Sequence, residues 1–464
     1  MRNWILIFLS FFLYTCAEPT YETVDGILQV PENRENPNSR TLNLVYKVLK
    51  AKKPDSLKAP IVYLMGGPGG ATLIMEEFWK NHPLRDNRDI VLMDQRGTGE
   101  SEANCTNLGE DMFSVMQQDL DQEAEYQAVK ELLSECKKTM NQKGVDLAGY
   151  SSKENAADFD DLRKTLGYKK WNLLGSSYGS RLGLTIMRDF PKNVRSAVLS
   201  AIVAPETDIL DGSIQNFENS LFSVLERCNK NEACSARFPE LKERLIMVLN
   251  KLNSEPLRFD YDDKPFVLNS QDALFILFVS LYDRNSISNI PLLIEAFEKG
   301  EMEHLKNVIK GVENLYDLVN WSMNYSLTAY EELLFYDHAT FEQSLELSEF
   351  GVGLASYNSG LELLKNWHSF RATDLEDQPV ISEIPTLLTS GGLDHVTPLK
   401  YAQETKKHLK NSYELVFINE ARNHYTPCLF HIAEDFLNDP YQKPNTDCIS
   451  KSNPIEWNLS NSIH

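Results

Sequence analysis

The residue best placed to do chemistry is the serine at the centre of Gly175-Ser176-Ser177-Tyr178-Gly179. The pattern is G-x-S-x-G. It follows the short apolar run Trp171 to Leu174 and opens a helical stretch near Tyr178. A strand that turns sharply into a helix holds the central hydroxyl out at the sheet's edge, and the flanking glycines relieve the crowding of the turn. Ser176 lacks the symmetric glycines. A serine hydroxyl is a weak nucleophile on its own; it needs a base, and the base needs a carboxylate to orient it. The chemistry to expect is acyl transfer through Ser177.

Where such a turn carries the nucleophile, the acid and then the histidine follow it in the chain. Of the nine histidines, those beyond residue 382 are His395, His408, His424, His431 and His464. His424 stands in Glu420-Ala421-Arg422-Asn423-His424, directly after the β-rich run Glu414 to Ile418, where a base would stand. Asp394 follows the preceding run Thr386 to Thr389, so its loop neighbours that of His424. His395 is the rival base, but its adjacency to Asp394 makes a shared face awkward, and a capping or surface role suits it better. An oxyanion needs preorganised backbone donors. Met65-Gly66-Gly67-Pro68-Gly69-Gly70 follows the run Ile61 to Met65 and supplies one at Gly67; the amide of Tyr178, after the nucleophile, supplies the other. The glycine loop lacks a following Lys-Ser or Lys-Thr and misses G-x-G-x-x-G, which argues against a nucleotide cradle. Asp94 and Arg96 read as a charged turn beneath that loop, not as catalytic groups.

The elements that must position these residues alternate. Strand candidates are Ile61 to Met65, Asp89 to Asp94, Trp171 to Leu174, Ala197 to Ser200, Thr386 to Thr389 and Glu414 to Ile418, with helical stretches between them. That alternation signals a mostly parallel sheet with crossover helices. Gly26 to Val30 and Leu42 to Leu49 add an antiparallel edge. From about 206 to 381 the periodicity is helical, as in Phe217 to Arg227, Leu241 to Leu252 and Ile290 to Ile309. A catalytic core is therefore expected at 24–205 and 382–450, with a helical cap inserted at 206–381 and a polar C-terminal tail at 451–464. Such insertions belong at the carboxyl edge of the strands, where open α/β sheets bind ligands.

The chain has 464 residues and a net charge of −21, which argues against nucleic-acid and anionic-membrane partners. Arg2, the apolar run Trp4 to Tyr14 and the small-residue pattern Thr15-Cys16-Ala17 read as an export signal over 1–17. Leu13-Tyr14-Thr15-Cys16 also resembles a bacterial lipoprotein signal, in which Cys16 would carry a lipid anchor; Thr15 departs from the usual Gly, Ala or Ser. The expected location is secreted or periplasmic, or else lipid-anchored at the cell envelope. No later run is apolar and long enough for a membrane span. Seven cysteines include Cys16; the other six fall as neighbours, Cys105 with Cys136, Cys228 with Cys234 and Cys428 with Cys448. Six cysteines permit many connectivities, and local pairing in an oxidising compartment is the simplest. No pair has zinc-type spacing with nearby histidines, so no metal is expected, and no cofactor.

Gly66-Gly67-Pro68-Gly69-Gly70, Asp94-Gln95-Arg96-Gly97-Thr98-Gly99, Asn155 to Arg163, the Ser177 motif and Asp394-His395-Val396-Thr397-Pro398 together resemble the tripeptidyl aminopeptidase and proline iminopeptidase family of α/β-hydrolases. The resemblance runs from about Gly26 to Cys448. It implies an α/β-hydrolase fold, a mostly parallel sheet with an inserted helical cap. It also implies an aminopeptidase acting on short peptides with free N-termini, and the three local cysteine pairs look like the family's. Glu331 and Glu332 are the cap carboxylates it suggests for the substrate's amine. Ala329 and Leu364 stand where the family often carries a further cysteine pair, and Met65 replaces the histidine usual in proline iminopeptidases, which shifts weight toward the tripeptidyl type. An esterase or other small-molecule hydrolase remains the alternative, because the same triad cleaves esters and amides; a catalytically inactive binding protein is a third reading.

Overall fold

The computed structural model describes residues 22–350, 356–451 and 454–460. The leader expected at 1–17, Cys16 included, lies outside them.

Eight strands form one sheet, and their order follows from how the sequence buries them. β1 (Thr23–Pro31) and β2 (Thr41–Leu49) alternate buried and exposed positions, as strands with one wet face do. β3 (Ile61–Leu64) and β4 (Ile90–Met93) are buried at every position, the mark of strands covered on both faces. β5 (Trp171–Ser177) and β6 (Val194–Ile202) follow; β7 (Leu257–Tyr261) and β8 (Lys264–Leu268) form a separate hairpin, and β9 (Thr386–Gly391) and β10 (Ser412–Phe417) complete the main sheet. Its order is β1-β2-β4-β3-β5-β6-β9-β10, antiparallel from β1 to β4 and parallel thereafter. Apolar side chains pack on both faces. Phe159 and Leu162 of helix Ser152–Thr165 join one core; Ile432 and Phe436 of helix Pro427–Asn438 join Trp79 in the other.

This order does the positioning. β3 lies between β4 and β5, with Leu64 opposite Gly175, so the loop leaving β3 runs beside the turn that ends β5. β9 and β10 pair in parallel, so the loops carrying Asp394 and His424 leave the same edge.

Between β6 and β9 the described chain is helical except for the β7–β8 hairpin. That hairpin went unread in the sequence, although Leu257, Phe259 and Tyr261 alternate ahead of the turn at Asp262 and Asp263, both with positive φ. The stretch Ile290 to Ile309 is two helices, Ile290–Lys299 and Met302–Leu318, because Gly300 takes a left-handed conformation and ends the first. Ala329 and Leu364 are both buried, on helices that pack together. Within the expected polar tail at 451–464, part of the described stretch docks: Ile455 is buried in the larger core and the Pro454 carbonyl accepts from Arg284. Disulfides join Cys105 to Cys136, Cys228 to Cys234 and Cys428 to Cys448. No helix among the described residues is long and apolar enough to cross a membrane.

Candidate active site

Ser177 ends β5 and immediately precedes helix Tyr178–Asp189, with φ 59° and ψ −130°, a conformation costly for any residue with a Cβ. The flanking glycines make the turn possible. A Cβ on Gly179 would lie 2.0 Å from the Leu64 carbonyl oxygen, so only glycine lets the new helix pass this close to β3.

The loop after β3 closes over Ser177: a Cβ on Gly66 would stand 3.1 Å from that of Ser177. Gly67 has φ +124°, and the loop is held from three sides. Gln95 Nε2 donates to the Met65 carbonyl (2.9 Å), Asn324 Nδ2 to that of Pro68 (3.0 Å), and the Asn320 amide to that of Gly69 (2.9 Å). The Tyr178 amide opens a helix and therefore has no acceptor within it. Its ring is fixed from the other end, where Asn155 Nδ2 donates to the phenol oxygen at 3.0 Å and the phenol in turn donates to Ser152 Oγ, also at 3.0 Å. Asp94 accepts the amides of Leu73 and Glu100, and buried Arg96 clasps Asp158 with two bonds; both organise loops, as their position suggested.

The sequence-derived residues on the β9 and β10 loops meet at this edge, but not as a direct relay. The Asp394 carboxylate accepts the amides of Val396 (2.9 Å) and Thr397 (2.8 Å), the Thr397 hydroxyl (2.5 Å), and Nη1 of Arg422 (3.2 and 3.3 Å). Nη2 of the same Arg422 donates to Ser177 Oγ at 2.5 Å. His424 is turned inward. Its Nε2 lies 2.9 Å from the Thr389 hydroxyl and its Nδ1 2.9 Å from the Arg422 carbonyl, with the ring stacked on Phe417. The expectation that Asp394 orients His424 through a hydrogen bond is therefore corrected. A guanidinium offers several donors in a rigid fork, so Arg422 donates to the carboxylate and to the serine at once, whereas a neutral imidazole has a single N–H to give. Burial lowers the His424 pKa, keeping the ring neutral. His395 takes neither a surface nor a capping position. It is buried against Phe278 and Tyr282, which pushes its pKa down to about 3.

Two cavities open on Ser177. One, of about 750 Å³, runs past Gly67 and Arg422 between helices of the insertion. The other, of about 240 Å³, is walled by Tyr178, Arg181, Glu331, Glu332 and His395. Glu331 accepts the amide and hydroxyl of Ser152 (2.6 and 3.0 Å) and pairs with Arg181 Nε at 2.9 Å; Glu332 pairs with Arg181 Nη1 at 2.7 Å. Burial raises the Glu332 pKa to about 7, against the pull of Arg181. Two carboxylates thus share one guanidinium beside the serine. Sequence reasoning missed both arginines. Arg181 lies one helical turn beyond Ser177 and Arg422 two residues before His424; those positions were the available signal.

Comparison with known proteins accords with this architecture. The family described as the alpha/beta hydrolase fold matches residues 59–424, and the chain belongs to it. Among curated proteins it is similar to tripeptidyl aminopeptidase of Streptomyces lividans, 28% identical over 197 residues, 39% of this chain and 36% of that protein. It is also similar to serine protease Hip1 of Mycobacterium tuberculosis, 25% identical over 281 residues, 56% and 53% of the two chains. The matches thus span about a third to a half of these relatives' length. A solved proline iminopeptidase of Mycobacterium smegmatis aligns over 90% of this chain and 99% of its own, at 14% identity and a TM-score of 0.40.

Proposed function

We propose that the protein is an exported serine hydrolase that cleaves peptide or amide bonds near a free N-terminus. Ser177 is the nucleophile. Its Oγ attacks the scissile carbonyl carbon while Nε2 of His424 takes the hydroxyl proton, and the oxyanion settles between the amides of Gly67 and Tyr178. The imidazolium then protonates the leaving amine as the carbon–nitrogen bond breaks. Water, deprotonated by the same histidine, releases the acyl group. Asp394 stabilises the imidazolium.

Arg422 cannot take a proton from serine at neutral pH, so this chemistry requires it to withdraw and His424 to rotate from Thr389 toward Ser177. The arrangement with Arg422 on Ser177 is in this reading a resting one. Three disulfides support the export part of the proposal, since such bonds persist in oxidising compartments.

The observation that carries the aminopeptidase reading is the pair Glu331 and Glu332 on one guanidinium in the wall of the smaller cavity. Above about pH 7, where Glu332 is ionised, one negative charge is left over, and a substrate ammonium entering there would meet it; an esterase has no use for that charge. Acetylating the N-terminus of a peptide substrate should lower kcat/KM by about 2 kcal/mol, roughly thirtyfold. Equal rates on free and acetylated peptides would overturn the aminopeptidase reading in favour of the esterase.

A further inference from the structure

A third cavity, of about 420 Å³, adjoins the reaction site and plays no part in the chemistry above. It shares Phe278 and Asn324 with both cavities that open on Ser177. Glu125, from the first turn of helix Gln122–Gln142, lines it, and among the described residues this carboxylate has neither a hydrogen bond nor an ion pair. Burial alone raises its pKa, with no cation opposing. Tyr325 is 7% exposed and lines the same cavity, and burial raises the pKa of its phenol. Asp272 also borders the space. One of its oxygens caps the Asn269 amide, and burial, with Glu125 adding, pushes its pKa well up. Tyr316 feels both acids, and burial keeps its phenol protonated.

Acidic residues at helix starts are ordinary when they face water. These face an aromatic-walled space, where a carboxylate with no cation beside it is costly. A cation with an apolar stem would relieve that cost, meeting the carboxylate directly and the ring faces through their quadrupoles.

We propose that this cavity is a substrate subsite for a cationic group, an ammonium or guanidinium on an apolar stem, held by Glu125 with Tyr325 and Tyr316 around it. The inference rests on the hydrolase reading of the neighbouring site and adds a second point of recognition, separate from Glu331 and Glu332. The cation comes either from a lysine or arginine side chain of the peptide or from its N-terminal ammonium at a longer reach.

The test uses full-length Ser177→Ala protein, which binds peptides without turning them over. Calorimetry compares tripeptides carrying lysine or norleucine at each position, each with a free or acetylated N-terminus. One cation should tighten binding about tenfold over its neutral counterpart, and adding Glu125→Gln should remove that gain. Dependence on the lysine identifies the side chain as the source; dependence on acetylation identifies the N-terminus. No charge preference, or one untouched by Glu125→Gln, overturns the proposal. Should Glu125→Gln loosen the fold, Tyr325→Phe removes only a hydroxyl and should weaken the same preference severalfold. Failure of the nucleophile reading would show separately, as native protein that a fluorophosphonate does not label at Ser177.

Discussion

Arg422 donates to the hydroxyl of Ser177 at 2.5 Å while its other nitrogen holds Asp394, so one guanidinium occupies the line a catalytic base would need. Changing it should therefore have two opposite effects. Arg422→Ala should speed fluorophosphonate labelling of Ser177 severalfold. It should also cost about 2 kcal/mol of stability, because Asp394 would remain buried with its amide donors but without its cation. Labelling rate and urea denaturation of the same preparation check both; slower labelling in a folded variant would mean that Arg422 assists the serine.

Ser177→Ala and His424→Ala should each lower kcat by about ten-thousandfold with little change in melting temperature, and the double variant should be no worse than either. If His424→Ala retains more than a few per cent of activity, the base lies elsewhere.

The pH dependence should separate recognition from chemistry. Glu332 titrates near 7, so below that pH it gains a proton and the charge available to a substrate ammonium falls. KM for free-amine peptides should accordingly rise as pH drops through about 7. The His424 pKa is lowered by burial, so the base stays neutral to more acidic pH than an ordinary histidine would. Hydrolysis of an activated ester should thus persist below the pH at which peptide cleavage fades. Coincident profiles for both substrates would contradict the assignment of Glu332.

The three disulfides should contribute unequally. Their sequence separations are 31, 20 and 6 residues for Cys105–Cys136, Cys428–Cys448 and Cys228–Cys234. Loop-closure entropy then gives about 3.5 kcal/mol for each of the longer two and about 2 kcal/mol for the short one. Double Cys→Ala variants, compared by denaturant midpoint, should follow that order.

Much of this fold was legible because its signals are local. The G-x-S-x-G turn, the glycine loop after β3 and the fully apolar runs of β3 and β4 each need specific residues at fixed spacing. The runs containing Asp394 and His424 could likewise be placed at strand ends from pattern alone. What escaped depends on rotamers and competition. Nothing in the spacing of Arg422 and His424 says which of the two reaches Ser177, since both leave the same loop and the outcome turns on which donor better satisfies Asp394. Arg181 was equally hidden, because its partners lie 150 residues away, on a helix of the insertion. Gly300 was visible, but a single glycine within a helical pattern is often tolerated, and the break it makes was therefore missed.

The glycine loop over Ser177 takes two of its three anchors, Asn320 and Asn324, from the insertion. Under the proposed mechanism the inserted helices are thus part of the scaffold that fixes where negative charge can form, as well as a cover that sorts substrates. Selection for a new specificity cannot exchange them wholesale without also resetting the rate. Variation is freest on those inserted helices that never touch residues 66–70, and a chimera that imports a foreign insertion should recover turnover only when it keeps the stretch from Val319 to Asn324.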